Sequence, residues 1–215
     1  MQGEFFLHQI ILSLFSHPGI VKIYDKCLDG SPKYFIMEYV EGITLKKHIL
    51  SKGALPKKEI FDIVKPTLSA LAQVHAKGIV HSDIKPHNVV VLADGSIRLM
   101  DFGISKPLPK RIIDLGDGEE PAEVAIGTVH YVSPEQAEAK PLDGRSDIYS
   151  FGVMMYEMAT GMLPFDDERP VSVVMMQIHD KPVPPRRIDR KIPRGLEAII
   201  LSAMEKNPKN RYQTA

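Results

Sequence analysis

The chain has 215 residues, 44% of them hydrophobic and 25% charged, and its 27 basic and 27 acidic side chains cancel to zero net charge. That is enough chain for one large domain, and the even charge gives no bulk attraction to nucleic acid or an anionic membrane. The single cysteine, Cys27, excludes an intrachain disulfide or a cysteine zinc cage and fits a reducing compartment; it reads as a small buried apolar residue.

The first apolar run, FFLHQIILSLF (5–15), is too short to span a membrane and has neither the basic flank nor the cleavage site of a signal peptide, so it reads as a buried helix of a soluble chain. Two β-rich runs, 20–24 and 34–40, flank Asp-Gly-Ser-Pro turn chemistry and predict a hairpin that stops at Gly42. A short helix is predicted over 44–49. Ile60, Val64, Leu68, Leu71 and Val74 recur at helical spacing between Lys57 and Lys77, with Gly78 as the stop and Pro66 as a kink. VVVLADGSIRLM (89–100) predicts a second hairpin turning at Asp94-Gly95. Residues 104–132 are rich in Pro and Gly and read as a long loop, functional or mobile. SDIYSFGVMMYEMATG (146–161) predicts a buried helix capped at its Ser-Asp start, and GLEAIILSAMEK (195–206) an amphipathic helix ended by Asn207-Pro208. The outline is one mainly helical domain with a small β-rich piece in front.

The chemistry concentrates around the second hairpin. Asp83, Lys85 and Asn88 precede its first strand, and Asp101-Phe102-Gly103 follows its second. A tight hairpin brings its ends together, so Asn88 and Asp101 converge as oxygen ligands suited to Mg²⁺. Asp83 is placed to accept a hydroxyl proton, and Lys85 to neutralise a transferring phosphoryl group.

HSDIKPHN (81–88), DFG eighteen residues after Asp83, SPE (133–135) and SDIYSFG (146–152) stand in register with the catalytic-loop, metal-binding and helix-start motifs of protein kinases. With GTVHYVSPEQA, LPFDDERPVSVVMMQIHDKPVPP and KNPKNRYQTA they resemble the bacterial eukaryotic-like Ser/Thr kinases, particularly the membrane-anchored group with extracellular PASTA repeats. Lys85 and Thr128 fit the Ser/Thr branch. The resemblance implies an α+β, protein-kinase-like fold: a remnant of the β-rich N-lobe over 1–40 and the helical C-lobe over 41–215. It implies ATP and Mg²⁺ as cofactors, protein substrates, no nucleic acid, and a cytoplasmic location as part of a longer anchored protein. By resemblance, Asp83 is the proton acceptor, Lys85 contacts the γ-phosphate and Thr128, and Asn88 and Asp101 hold the metal. Met37 is the gatekeeper, and Glu38, Tyr39 and Val40 form the hinge that meets adenine, with Val90 beneath it. His81 and Phe102 stack in an internal spine, Asp147 anchors the catalytic loop from inside, and Glu135 pairs with Arg211.

Three departures from the pattern stand out. No G-x-G-x-x-G and no strand lysine in a V-A-I-K context occur in the sequence, and the register puts His8 where the helix glutamate belongs, with Glu4 one turn away as the alternative. Ser82 replaces the arginine that clamps a phosphorylated loop residue, and residues 106–127 contain no Ser, Thr or Tyr. Glu119, Glu120 and Glu123 in that stretch read as a solvated acidic loop. Three functions follow as alternatives: a Ser/Thr kinase independent of loop phosphorylation; a truncated pseudokinase that binds proteins, with a partner covering the Phe5–Phe15 helix; and a degraded fragment.

Overall fold

The computed structural model of the chain describes residues 16–27, 34–101 and 129–215. The expected helix over 5–15, the side chain of Cys27, Phe102, the loop up to residue 127, and Thr128 lie outside them. Strand β1 (Ile23–Cys27) pairs antiparallel with β2 (Tyr34–Met37), Ile23 opposite Met37 and Cys27 opposite Tyr34. The hairpin is the expected one, but its first strand starts three residues later than the pattern suggested. Ile20 and Val21 are used elsewhere: Ile20 bridges Leu99, Val21 N–H donates to the Leu99 carbonyl, and Leu99 N–H donates to the Gly19 carbonyl.

Gly42 does not end the β structure. It opens β3 (Gly42–Thr44), the edge of a three-stranded sheet with β4 (Val89–Leu92) and β5 (Ile97–Leu99). A Cβ at Gly42 would lie 2.5 Å from the Val91 carbonyl oxygen and 2.7 Å from a Val90 methyl, closer than two nonbonded heavy atoms can sit. Only glycine lets this strand come so near. The β4–β5 turn forms at Asp94-Gly95 as expected, with the Asp94 carboxylate accepting from the Ser96 N–H and hydroxyl.

Helix α1 (Leu45–Lys52) begins on Thr44, whose hydroxyl accepts from Lys47 N–H. Helix α2 (Lys57–His75) carries Pro66 inside it and ends two residues before Lys77. Pro66 removes one N–H from the helical ladder, and the Thr67 hydroxyl donates to the Ile63 carbonyl on the same buried turn. Among the described residues no helix is long and apolar enough to cross a membrane.

Helix α3 (Pro134–Ala137) is a single turn started by a reciprocal capping box between Ser133 and Gln136. Helix α4 (Gly144–Thr160) is the buried mast of the domain, with its residues from Ser146 to Ala159 all inside. Its cap is Asp143, not the expected Ser146-Asp147 pair, which lies one turn further in and bonds to other parts of the fold. Helices α5 (Pro170–His179) and α6 (Pro185–Ile188) follow, and then α7 (Arg194–Ala203). Where α4 and α7 cross, a Cβ at Gly152 would lie 2.9 Å from the Ala203 methyl, so the helices meet at backbone distance. The core runs continuously from Ile20 and Leu99 through α2 and α4 to Ile200 and Met204.

Candidate active site

Residues 81–88 form an irregular loop that closes with a 3-10 turn, Pro86–Asn88, directly before β4. The turn brings Asn88 back on Asp83. The Asn88 amide nitrogen donates to the Asp83 carbonyl at 2.8 Å and to its carboxylate at 2.9 Å, and Lys85 Nζ sits 2.8 Å from the same carboxylate oxygen. Asp83 and Lys85 are each less than a fifth exposed at the side chain, so this pairing is worth more than a surface ion pair, which water screens. With its nitrogen committed to Asp83, the Asn88 amide has its oxygen left as a ligand atom.

Across the hairpin, Met100 N–H donates to the Asn88 carbonyl at 2.9 Å, which sets Asp101 next to Asn88 at the strand ends. Asp101 has φ +57, a left-handed conformation that an aspartate tolerates better than most residues. Asn88 and Asp101 thus bring two oxygen-bearing side chains to the same end of the hairpin, and Mg²⁺ is the ion such a pair could hold. That ion takes one or two protein oxygens and fills its octahedron with water and phosphate.

The loop is held from below by Asp147 in the first turn of α4. Its fully buried carboxylate accepts from His81 N–H at 2.8 Å, Ser82 N–H at 2.7 Å and the His75 ring nitrogen at 2.7 Å. His81 is also fully buried. Burial pushes its pKa down against the pull of the Asp147 and Asp83 charges. The neutral ring donates from Nε2 to the Met100 carbonyl and accepts at Nδ1 from Asp83 N–H. It thereby links the loop to the strand that delivers Asp101.

One residue earlier, Ser146 donates to Glu135, which receives a two-pronged ion pair from Arg211 at 2.7 and 2.9 Å. Burial would raise the Glu135 pKa, but the hydrogen bonds from Arg211 and Ser146 hold it below the ordinary carboxylate range. Three turns further along α4, Glu157 is also buried and is shared between Lys46 on α1 and the Tyr131 hydroxyl.

On the other side of the three-stranded sheet, Glu38–Val40 links β2 to β3. Glu38 N–H donates to the Lys22 carbonyl, and the Glu38 carboxylate accepts from Lys22 N–H and Arg98. Val90 is buried directly under Gly42, at the end of this linker. Tyr39 is 90% exposed and Met37 44% exposed. The structure therefore gathers Asp83, Lys85, Asn88 and Asp101 at one end of the β4–β5 hairpin and sets a Val90 methyl against Gly42 on β3, while Thr128 falls outside the described residues. Sequence reasoning missed His75, whose position at the end of α2 gives no local signal, and Glu157, hidden among the apolar residues of α4.

A protein kinase domain family model matches residues 6–215. A probable serine/threonine-protein kinase of Clostridium acetobutylicum is 44% identical over 200 residues, covering 93% of this chain and 30% of that protein. A probable serine/threonine-protein kinase of Clostridium perfringens is 42% identical over 200 residues, covering 93% of this chain and 28% of that protein. The serine/threonine-protein kinase PknB of Mycobacterium tuberculosis is 38% identical over 204 residues, covering 93% of this chain and 32% of that protein. The chain thus spans about a third of the length of these relatives.

Proposed function

Because the chain belongs to the protein kinase family, among the eukaryotic-like bacterial serine/threonine kinases, we propose that it moves the γ-phosphate of ATP to serine and threonine hydroxyls of proteins. The observation that carries this reading is the Asp83–Lys85–Asn88 cluster. Asp83 is fixed by two donors, and a substrate hydroxyl that hydrogen-bonds to it is oriented for attack. As the new O–P bond forms, the bond from the γ-phosphorus to the β,γ-bridging oxygen breaks, ADP leaves, and the hydroxyl proton passes to the Asp83 carboxylate. Lys85, 2.8 Å from Asp83, places a cation where negative charge collects on the transferring group. Asn88 and Asp101 would hold Mg²⁺, which when bound would supply charge neutralisation of the phosphates. Val90 and the Glu38–Val40 linker, with Met37 before it, take the adenine.

Ser82 makes this a site without the arginine that reads a phosphorylated loop. Its control does not pass through that clamp.

The test is Mg²⁺-dependent phosphate incorporation into a mixed protein substrate by the whole protein, with Asp83→Asn beside it. The expected result is a fall in kcat of about 10²–10⁴-fold with little change in the KM for ATP, the usual scale for removing a general base. No incorporation by the parent, or equal rates for both, refutes the reading.

A second reading, a protein-binding module with little phosphoryl transfer, is favoured by the exposed apolar side chains of Ile36, Met37, Tyr39 and Ile43 beside the adenine linker. Failure of ATP with Mg²⁺ to raise the melting temperature separates it from the first.

A further inference from the structure

Ser82 carries a left-handed backbone, φ +60, which for a residue other than glycine costs about 1–2 kcal/mol and must be held by its surroundings. Its N–H is held by Asp147. Its carbonyl is held from the opposite side: Gln136 Nε2 donates to Ser82 O at 2.7 Å across 54 residues of sequence. The Gln136 side-chain oxygen accepts from Ser133 N–H at 3.0 Å. That bond fixes which end of the amide is oxygen, so the nitrogen faces Ser82. Gln136 rides on α3, and α3 is immobilised by the next side chain back, Glu135, locked to Arg211 and Ser146.

We propose that Gln136 is a positioning residue for the catalytic loop: through the Ser82 carbonyl it sets the peptide that carries Asp83. It is an uncharged strut between the loop and the segment leading to α3, in a chain whose residue 82 has no guanidinium to serve that purpose through a phosphate. The proposal rests on the kinase reading for its effect on rate, but not for its effect on loop structure.

One substitution separates the two duties of Gln136. In Gln136→Glu the carboxylate still accepts from Ser133 N–H, since glutamate completes the same capping box, but it has no proton to give Ser82. Ser133→Ala does the reverse, removing the hydroxyl that accepts from Gln136 N–H while leaving the bond to Ser82. Hydrogen exchange of peptides covering 79–85 and 134–138, melting temperature and steady-state kinetics are measured on the whole protein carrying each change. For Gln136→Glu the expected result is exchange at His81–Asp83 faster by about tenfold, the equivalent of one hydrogen bond. Protection of α3 stays unchanged, the melting temperature falls by only the ~3–6 °C that one lost hydrogen bond carries in a domain of this size, and kcat falls by about tenfold at constant KM for ATP. Ser133→Ala is expected to lower the melting temperature with loop exchange unaltered. Unchanged loop exchange in Gln136→Glu, or loss of protection spread equally over α3, overturns the proposal. If neither parent nor variant transfers phosphate, the kinase reading fails, and loop exchange still decides the role of Gln136.

Discussion

Replacing Arg211 by methionine tests the deepest polar contact in the fold. Arg211 and Glu135 are 4% and 6% exposed, and the guanidinium also donates to the carbonyls of Arg145, Glu205 and Lys206 while lying 4.8 Å from the Tyr149 ring centroid. Methionine fills much of the volume but leaves a buried carboxylate facing only the Ser146 hydroxyl. Breaking a buried pair from one side costs about 3–5 kcal/mol, and the three orphaned carbonyls push the value toward the upper end. In a domain of this size each kcal/mol moves the melting temperature by about 2–4 °C, so a loss of roughly 6–20 °C is expected. Urea unfolding as a function of pH identifies the cause. In the parent the Glu135 pKa lies below its unfolded value, so its stabilisation is complete above the ordinary carboxylate range and fades as pH falls through the folded value. In Arg211→Met burial, the largest influence on this carboxyl, is opposed only by the remaining hydrogen bonds, and the pKa rises relative to the parent. The variant therefore recovers stability relative to the parent as pH falls from neutrality toward about 4.3, the unperturbed glutamate value. Glu135→Gln, which strands the guanidinium instead, shows no such recovery over that interval. A loss within the 0–1 kcal/mol of a surface pair, or parallel pH curves for the two variants, would refute the reasoning.

Gly42→Ala is expected to cost about 1–3 kcal/mol, because its new methyl meets a backbone oxygen that cannot rotate away; thermal unfolding measures it. The same change displaces β3 from Val90, so the melting-temperature rise given by ATP with Mg²⁺ should shrink. Lys206 donates to the Tyr149 hydroxyl and to the Met176 and Gln177 carbonyls, and burial lowers its pKa from 10.5 to about 8. Between pH 8 and 10 the unfolded chain then binds more protons at this site than the folded one, so stability should rise with pH relative to Lys206→Met. Equal slopes for the two proteins in urea titrations at pH 8 and 10 would show that Lys206 titrates as an ordinary lysine.

The parts of the site that could be read in the sequence are those made by neighbours. Asp83, Lys85 and Asn88 fall within six positions, and the Asp94-Gly95 turn brings Asp101 back to them without help from distant chain. Contacts made across the chain were legible only through the family resemblance, as with Asp147 under the loop and Arg211 on Glu135. Others were not legible at all. β3 is three residues with no period to detect, and its reason, the close pass of Gly42 over Val91, exists only once β4 is in place. The first strand was misplaced because Ile20 and Val21 look like strand residues but bond to Leu99 instead of to β2. Ser146-Asp147 looked like a helix cap because both residue types favour that position; tertiary partners claim them, and Asp143 takes the cap.

The Glu135–Arg211 lock also bears on when the lobe can mature during synthesis. Its two halves are separated by 76 residues of chain. At about 5–20 residues per second on the ribosome, roughly 4–15 s pass between making one half and making the other. Throughout that interval α3 lacks its anchor, and Gln136 has no fixed base from which to hold Ser82. The nascent chain therefore carries all of Asp83, Lys85, Asn88 and Asp101 well before they can be set in their final geometry. Assembly of the site waits on nearly the last side chain translated in this stretch.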